Sequence, residues 1–223
     1  MVKRNRMRKT GQGPNKKNRL KRQKGRQVVE KFRVYKFKEL PKETKEKVIN
    51  KLWDINVQWD WWDGVYSLEQ EKFNKIGIKF DEKKTYFSLG RDWHIHSDKM
   101  WVEDEDKFAD ALVKDKVIPK ELAKGIKEGV VQAGIDTTSY AMGRGVNTLN
   151  MDVFNIDNPK EEEKMQKLVD KYDEPVNEWF KNKMNEFHDH LKEQHDYLAS
   201  EEAIIETIEA NEYEFKEDGE LYG

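Results

Sequence analysis

His94 and His96 stand two residues apart. On a β-strand that spacing puts both imidazoles on one face, and Asp92 or Asp98 would supply a third ligand to a zinc-like ion. The same spacing arises readily by chance, and no other feature asks for a metal, so no metal and no cofactor is assigned. His188, His190 and His195 fall in a stretch of helical period. His188 and His190 would point about 200° apart there and cannot chelate together. A four-residue spacing would chelate, but the residue four before His195 is Leu191. Asp60 and Asp63 would neighbour each other on a helix. Acid pairs are common in a chain with 44 acidic residues, so the two are not assigned as a general acid–base dyad. Serine, histidine and aspartate are all present, but no nucleophile elbow precedes a helix. Gly143, Arg144 and Gly145 offer the makings of an anion-binding backbone nest. Their spacing matches neither a phosphate-binding loop nor a dinucleotide fingerprint, and a flexible turn is the simpler expectation. No catalytic residue is assigned; a non-enzymatic protein is the leading reading, with a metal-dependent hydrolase using His94, His96 and nearby acids kept as an alternative.

Binding chemistry is better represented. The stretch from Trp53 to Gly77 holds four of the seven tryptophans, with Asp54, Asp60 and Asp63 set among the rings. Read as a helix from about Trp59, it places Trp59, Trp62, Val65, Tyr66, Phe73 and Ile76 on one face. Trp62 then belongs to the core and Trp61 points to the opposite side. Asp60 and Asp63 sit in the first turn, where the helix dipole favours negative charge. Two interpretations follow. Large aromatics most often supply core area. Alternatively, Asp60, Trp61 and Asp63 form a surface that grips a cationic protein partner, since tryptophan is over-represented at binding hot spots.

The charge of the chain is segregated. Lys3, Arg4, Arg6, Arg8, Lys9, Lys16, Lys17, Arg19, Lys21, Arg22, Lys24 and Arg26 are accompanied by no acid within residues 1–26. Setting those twelve aside from the 42 basic residues leaves thirty against all 44 acids, a formal −14 on residues 27–223. Residues 1–28 are too poor in apolar side chains to offset the entropy of ordering, so they are expected to be a disordered basic arm. Such an arm suits nucleic acid, because Lys and Arg neutralise phosphates and release counterions. It equally suits docking on the chain's own acidic part. No aromatic is interleaved, so base stacking is not indicated. There is no cysteine, which excludes disulfides, thiolate zinc sites and a cysteine nucleophile. No apolar run has the length of a membrane span, and the basic N-terminus lacks the apolar region of a signal peptide. A soluble, cytoplasmic protein without membrane partners is expected.

The elements that must position these groups follow from period and punctuation. Val29 to Phe37 alternates as a first strand, and Leu40-Pro41 opens a helix with Val48, Ile49, Leu52 and Trp53 on its apolar side. Asn56 to Gln58 breaks the chain before the tryptophan helix, which Gly77 caps. Ile78 to Met100 alternates and predicts an antiparallel meander, with turns at Asp81–Lys84 and Gly90–Asp92. Glu103–Asp115 and Pro119–Ala133 predict two short helices, the second capped by Gly134. After an irregular Ile135–Asn147, Thr148–Ile156 alternates as a strand. Pro159 to Leu198 carries a long helical period that Pro175 should break or bend, giving two helices or one bent helix. Ser200 caps a helix through Ala210, and Glu212–Phe215 forms a final strand with its turn at Asp218-Gly219. Together these predict an α+β fold: a small antiparallel sheet packed against helices, a long C-terminal helical segment and the basic arm. The domain expected to carry the sheet and helices spans residues 29–223.

Two stretches carry a resemblance. VYKFKELPKETKEKVINKLW followed by QWDWWDGVY resembles the opening of a family of small tailed-phage proteins. YLASEEAIIETIEANEYEFKEDGELY resembles that family's closing helix and strand. The similar residues run from about Val34 to Gly90 and from Tyr197 to Tyr222. Proteins of this kind are often labelled the antitoxin of a toxin–antitoxin stability system. The resemblance implies a phage-encoded protein that neutralises or modulates a host or rival factor, and it carries no active site with it.

Overall fold

The computed structural model describes residues 33–91, 94–140, 144–154 and 156–222. Every element below belongs to the unit Val34–Gly223. The basic arm of residues 1–28, and its nucleic-acid candidates, lie outside the described residues.

The fold is α+β, with six α-helices among the described residues, antiparallel pairings and a long helix towards the C-terminus. Its apolar residues form two clusters. The smaller is built from both ends of the unit. Strand β1 (Tyr35–Lys36) pairs antiparallel with β8 (Glu214–Phe215), and β8 pairs with β9 (Leu221–Tyr222). Of the expected strand Val29–Phe37, residues 29–32 lie outside the described residues; among those described it pairs only at Tyr35–Lys36, and at its C-terminal end the chain turns into a 3-10 segment at Phe37–Glu39. That turn, and helix α1 (Lys42–Lys51), bring Phe37, Leu40 and Val48 against Ile204 and Ile208 of α6 (Glu201–Ala210) and Phe215. Pro41 occupies the N-cap of α1, where its missing N–H costs nothing. Ser200 caps α6, its hydroxyl accepting from Ala203 N at 3.2 Å.

The larger cluster gathers around α5 (Pro159–Leu198), a single helix of 40 residues. Pro175 lies inside it and does not divide it. Val169, Val176, Phe180, Met184, Phe187 and Leu191 repeat at spacings of three to seven and form its buried stripe. Against this stripe packs α2 (Asp63–Lys75), which supplies Val65, Tyr66 and Phe73. Gly77, at φ +76°, closes α2 as expected, its N–H donating to Asn74 O. A Cβ there would lie 2.1 Å from Asp104 O, so no other residue fits this approach.

The expected meander is instead one long hairpin with an interruption. Strand β2 (Ile78–Phe80) pairs with β5 (Met100–Val102), and β3 (Thr85–Ser88) pairs with β4 (His94–Ser97). Asp81–Lys84 does not reverse the chain. Glu82–Lys84 form a 3-10 turn inserted in one arm, with the Asp81 carboxylate accepting from Lys83 N at 3.1 Å. Helices α3 (Glu105–Lys114) and α4 (Lys120–Lys127) follow and bury Phe108, Leu112, Leu122 and Ile126. Helix α4 ends earlier than Ala133. Gly129, at φ +71°, takes the left-handed position; its N–H donates to Ile126 O and Val130 N donates to Gly125 O. That pair of bonds is a Schellman closure and releases the chain into a strand. Val131, Ala133 and Gly134 therefore belong to β6 (Val131–Tyr140), which pairs along its whole length with β7 (Arg144–Val153). Two hairpins, rather than a meander and a loop, pack on the helices. They are tied together at buried Asn147, whose amide accepts from Ser97 N at 2.7 Å and donates to Ser97 O and Thr137 Oγ1 at 2.8 Å. A side-chain amide there replaces a strand's backbone partner.

Candidate functional site

Residues 53–62 join the two clusters. They do so as a run of turns, not as a helix: Ile55 N donates to Leu52 O, Val57 N to Asp54 O and Asp63 N to Asp60 O. Asn56 fastens the run to the junction of α5 and α6. Its Nδ2 donates to Leu198 O at 3.0 Å, and its Oδ1 accepts from Thr207 Oγ1 at 2.7 Å.

The helix expected from Trp59 begins only at Asp63. The physical reason is visible in the rings. Trp61 and Trp62 both pack edge-on against Phe87, each with centroids 5.7 Å from it, and lie 5.8 Å from each other. Consecutive side chains on an α-helix diverge by about 100° and could not both reach one ring. A turn at Asp60–Trp62 lets them, and Trp61 also meets the His195 ring at 5.5 Å. Trp62 packs against the core as expected. Trp61 does too, so its assignment as the exposed anchor is corrected.

Trp59 is instead the ring left uncovered, 81 % exposed although the helical register placed it on the buried face. Trp53, expected on the apolar side of α1, is 57 % exposed because α1 ends before it at Lys51. Tyr197, beside the Leu198 carbonyl that holds Asn56, is 55 % exposed. Asp60 and Asp63 are both exposed and flank the Trp59–Trp62 turn. Among the described residues, neither Asp60, Asp63 nor Asp54 makes an ion pair. Helix α6, which Thr207 ties to Asn56, carries Glu201, Glu202, Glu206 and Glu209 and no base. Trp53, Trp59 and Tyr197 are thus three exposed aromatics on or next to the turns at residues 53–62 and the α5 end that Asn56 holds.

The histidines go elsewhere. His94 and His96 share a face of β4, as their spacing requires, but their rings stack on each other at 5.7 Å and His96 stacks on Tyr86 at 5.4 Å. His96 is 3 % exposed, and its ring lies flat on β7 at Gly145, where a Cβ would come within 2.3 Å. Burial holds this imidazole below the ordinary histidine range; Asp98, 3.7 Å away, pulls it up and His94 pushes it further down. Asp92 lies outside the described residues, and among those described no three His, Asp or Glu side chains are placed to share a metal. His188 donates from Nε2 to Ser88 O at 2.9 Å inside the core, and burial lowers its pKa. His190 instead reaches Glu69 at 2.7 Å, so the two point apart as the helical geometry required. Arg144 and Gly145 are strand residues opposite Tyr140 and Ser139, not members of a loop nest; Gly143 lies outside the described residues. Among the described residues, no helix is long and apolar enough to cross a membrane.

Comparison of the chain with protein-family models, with curated proteins and with solved structures returned no match.

Proposed function

We propose that this chain is a non-enzymatic binding protein that docks a basic protein partner on the surface around Trp53, Trp59, Asp60, Asp63 and Tyr197. The observation that carries it is Trp59, 81 % exposed between turns that hold its neighbours Trp61 and Trp62 against the core. An exposed tryptophan on a fixed backbone adds contact area at low entropic cost and accepts a cation on its face. Exposed Asp60 and Asp63 select the sign of the partner's charge. The partner chemistry is that of a phosphate-binding protein such as a nuclease, whose basic surface an acidic protein can cover. This agrees with the antitoxin-like role that the tailed-phage resemblance implies, in which a host or rival factor is neutralised or modulated.

The test is a salt-dependent pull-down with the full chain and the triple variant Trp59→Ala, Asp60→Asn, Asp63→Asn. A basic protein retained by the wild type and released by the variant is the expected result. Equal retention by both sinks the surface as drawn.

A second reading rests on the twelve bases and no acids of residues 1–26. In that case the chain is a nucleic-acid-binding accessory protein, and affinity for DNA or RNA falls steeply with salt. Removal of residues 1–26 then abolishes nucleic-acid binding while leaving protein docking at Trp59 intact.

A further inference from the structure

Glu69 is the one carboxylate among the described residues to be fully buried, at 2 % exposure on α2. Taking a carboxylate out of water costs several kcal/mol unless donors replace the lost hydration. Two nitrogens approach it. Lys72 Nζ and His190 Nδ1 each lie 2.7 Å from Glu69 Oε1, and Lys72 Nζ is also 3.1 Å from His190 Nδ1. Among the described residues, Oε2 receives no hydrogen bond.

Glu69 lines a cavity of about 270 Å³ between α2 and α5. Phe73 and Ile76 form an apolar wall. At the mouth, Lys183 is already held by both oxygens of Glu186 at 3.1 Å. Lys75 stands on the same rim and has no ion pair among the described residues. The lining therefore combines a buried carboxylate, two apolar side chains and one lysine that makes no ion pair among the described residues. An anion alone would meet the buried Glu69 charge. An amine alone would face three lysines and leave Lys75 unmatched.

We propose that this cavity binds a single free amino acid with an apolar side chain. Its ammonium donates to Glu69, its carboxylate pairs with Lys75, and its side chain lies on Phe73 and Ile76. The volume falls just under the range of about 300–1,000 Å³ usual for drug-sized ligands, which suits one amino acid and not a peptide. The site is separate from the tryptophan surface and does not depend on it.

Leucine is the probe, titrated into the full chain by calorimetry, with isovalerate and isopentylamine as its two halves. Saturable one-site binding with Kd below about 1 mM is expected, each half binding at least about tenfold more weakly. Lys75→Gln changes an exposed rim residue, so the unfolding midpoint should stay while leucine affinity drops at least about tenfold. Glu69→Gln should weaken leucine and isopentylamine together, while isovalerate, relieved of the Glu69 charge, should bind no more weakly than before. No saturation by about 10 mM leucine, or full affinity in Lys75→Gln, overturns the proposal.

Discussion

Trp59, Trp61 and Trp62 are close in sequence and opposite in circumstance. Trp59→Ala removes a ring that touches mostly solvent, so stability should stay within about 0.5 kcal/mol of wild type. Trp61→Ala and Trp62→Ala each empty a place beside Phe87 and should cost at least about 2 kcal/mol, because transfer and cavity terms add. Denaturant unfolding of the three single variants checks this order, and a Trp59 variant as damaged as the others would show that its ring is covered. His96 makes a different residue-scale prediction. Its folded-state pKa is lowered by burial, so the unfolded chain takes up the proton first as pH falls. The stability owed to neutral His96 is full above the ordinary histidine value of about 6.5 and is lost as pH falls through the lower folded value. His188, lowered by the same cause, acts in the same direction. Unfolding measured at a series of pH values should show stability declining below neutrality. His96→Phe, which keeps a flat ring over Gly145, should make that decline shallower; an unchanged slope would mean the ring titrates normally.

At the scale of elements, closures explain both where the fold was legible and where it was not. Gly77 was readable because a glycine follows a clear helical period. Gly129 is not legible as a closure because Val130 and Val131 continue the apolar helical period, and what draws them off is pairing of Val131 with Val153 and the Phe154 N–H donating to Val130 O. Helix α3 closes in the same manner as α4, with Lys116 in the left-handed position at φ +60° and Val117 N donating to Leu112 O at 2.8 Å. A side chain there is strained by about 1–2 kcal/mol relative to glycine. Lys116→Gly should therefore raise stability by about 1 kcal/mol, read as a higher unfolding midpoint, since Lys116 is exposed and loses no contact. A lower midpoint would show that the closure is not strained. Pro175 removes one donor from α5, yet the helix runs on because the apolar stripe on both sides is buried in the same cluster. Tertiary burial outweighs one lost backbone bond.

For the molecule as a whole, the two apolar clusters divide the stability unequally. The smaller one rests on six buried residues drawn from both ends of the unit, and the larger on the helices and hairpins between them. Fewer buried contacts mean a lower local opening energy. Native-state hydrogen exchange should find the amides of Val48, Ile204 and Ile208 opening at lower free energy than those of Phe180 and Leu122. Uniform protection across both clusters would show that they unfold as one. The turns at residues 53–62 lie at the join, so the exposed Trp59 is carried where the two clusters meet.

What the sequence by itself determined is what neighbours along the chain decide. Helical period, the Ser200 cap, the Gly77 closure, the Asp218-Gly219 turn with Gly219 at φ +88°, and the divergence of His188 from His190 all depend on a few adjacent residues. Only the tertiary structure decided which strands pair, that Asp81–Lys84 is an insertion and not a turn, that Trp61 is packed and Trp59 is not, and that Glu69 is buried. Each of these is set by a partner far away in sequence: Ile78 by Val102, Trp61 by Phe87 and His195, Glu69 by His190. Exposure is a property of what comes to lie on top of a side chain, and no local period encodes it.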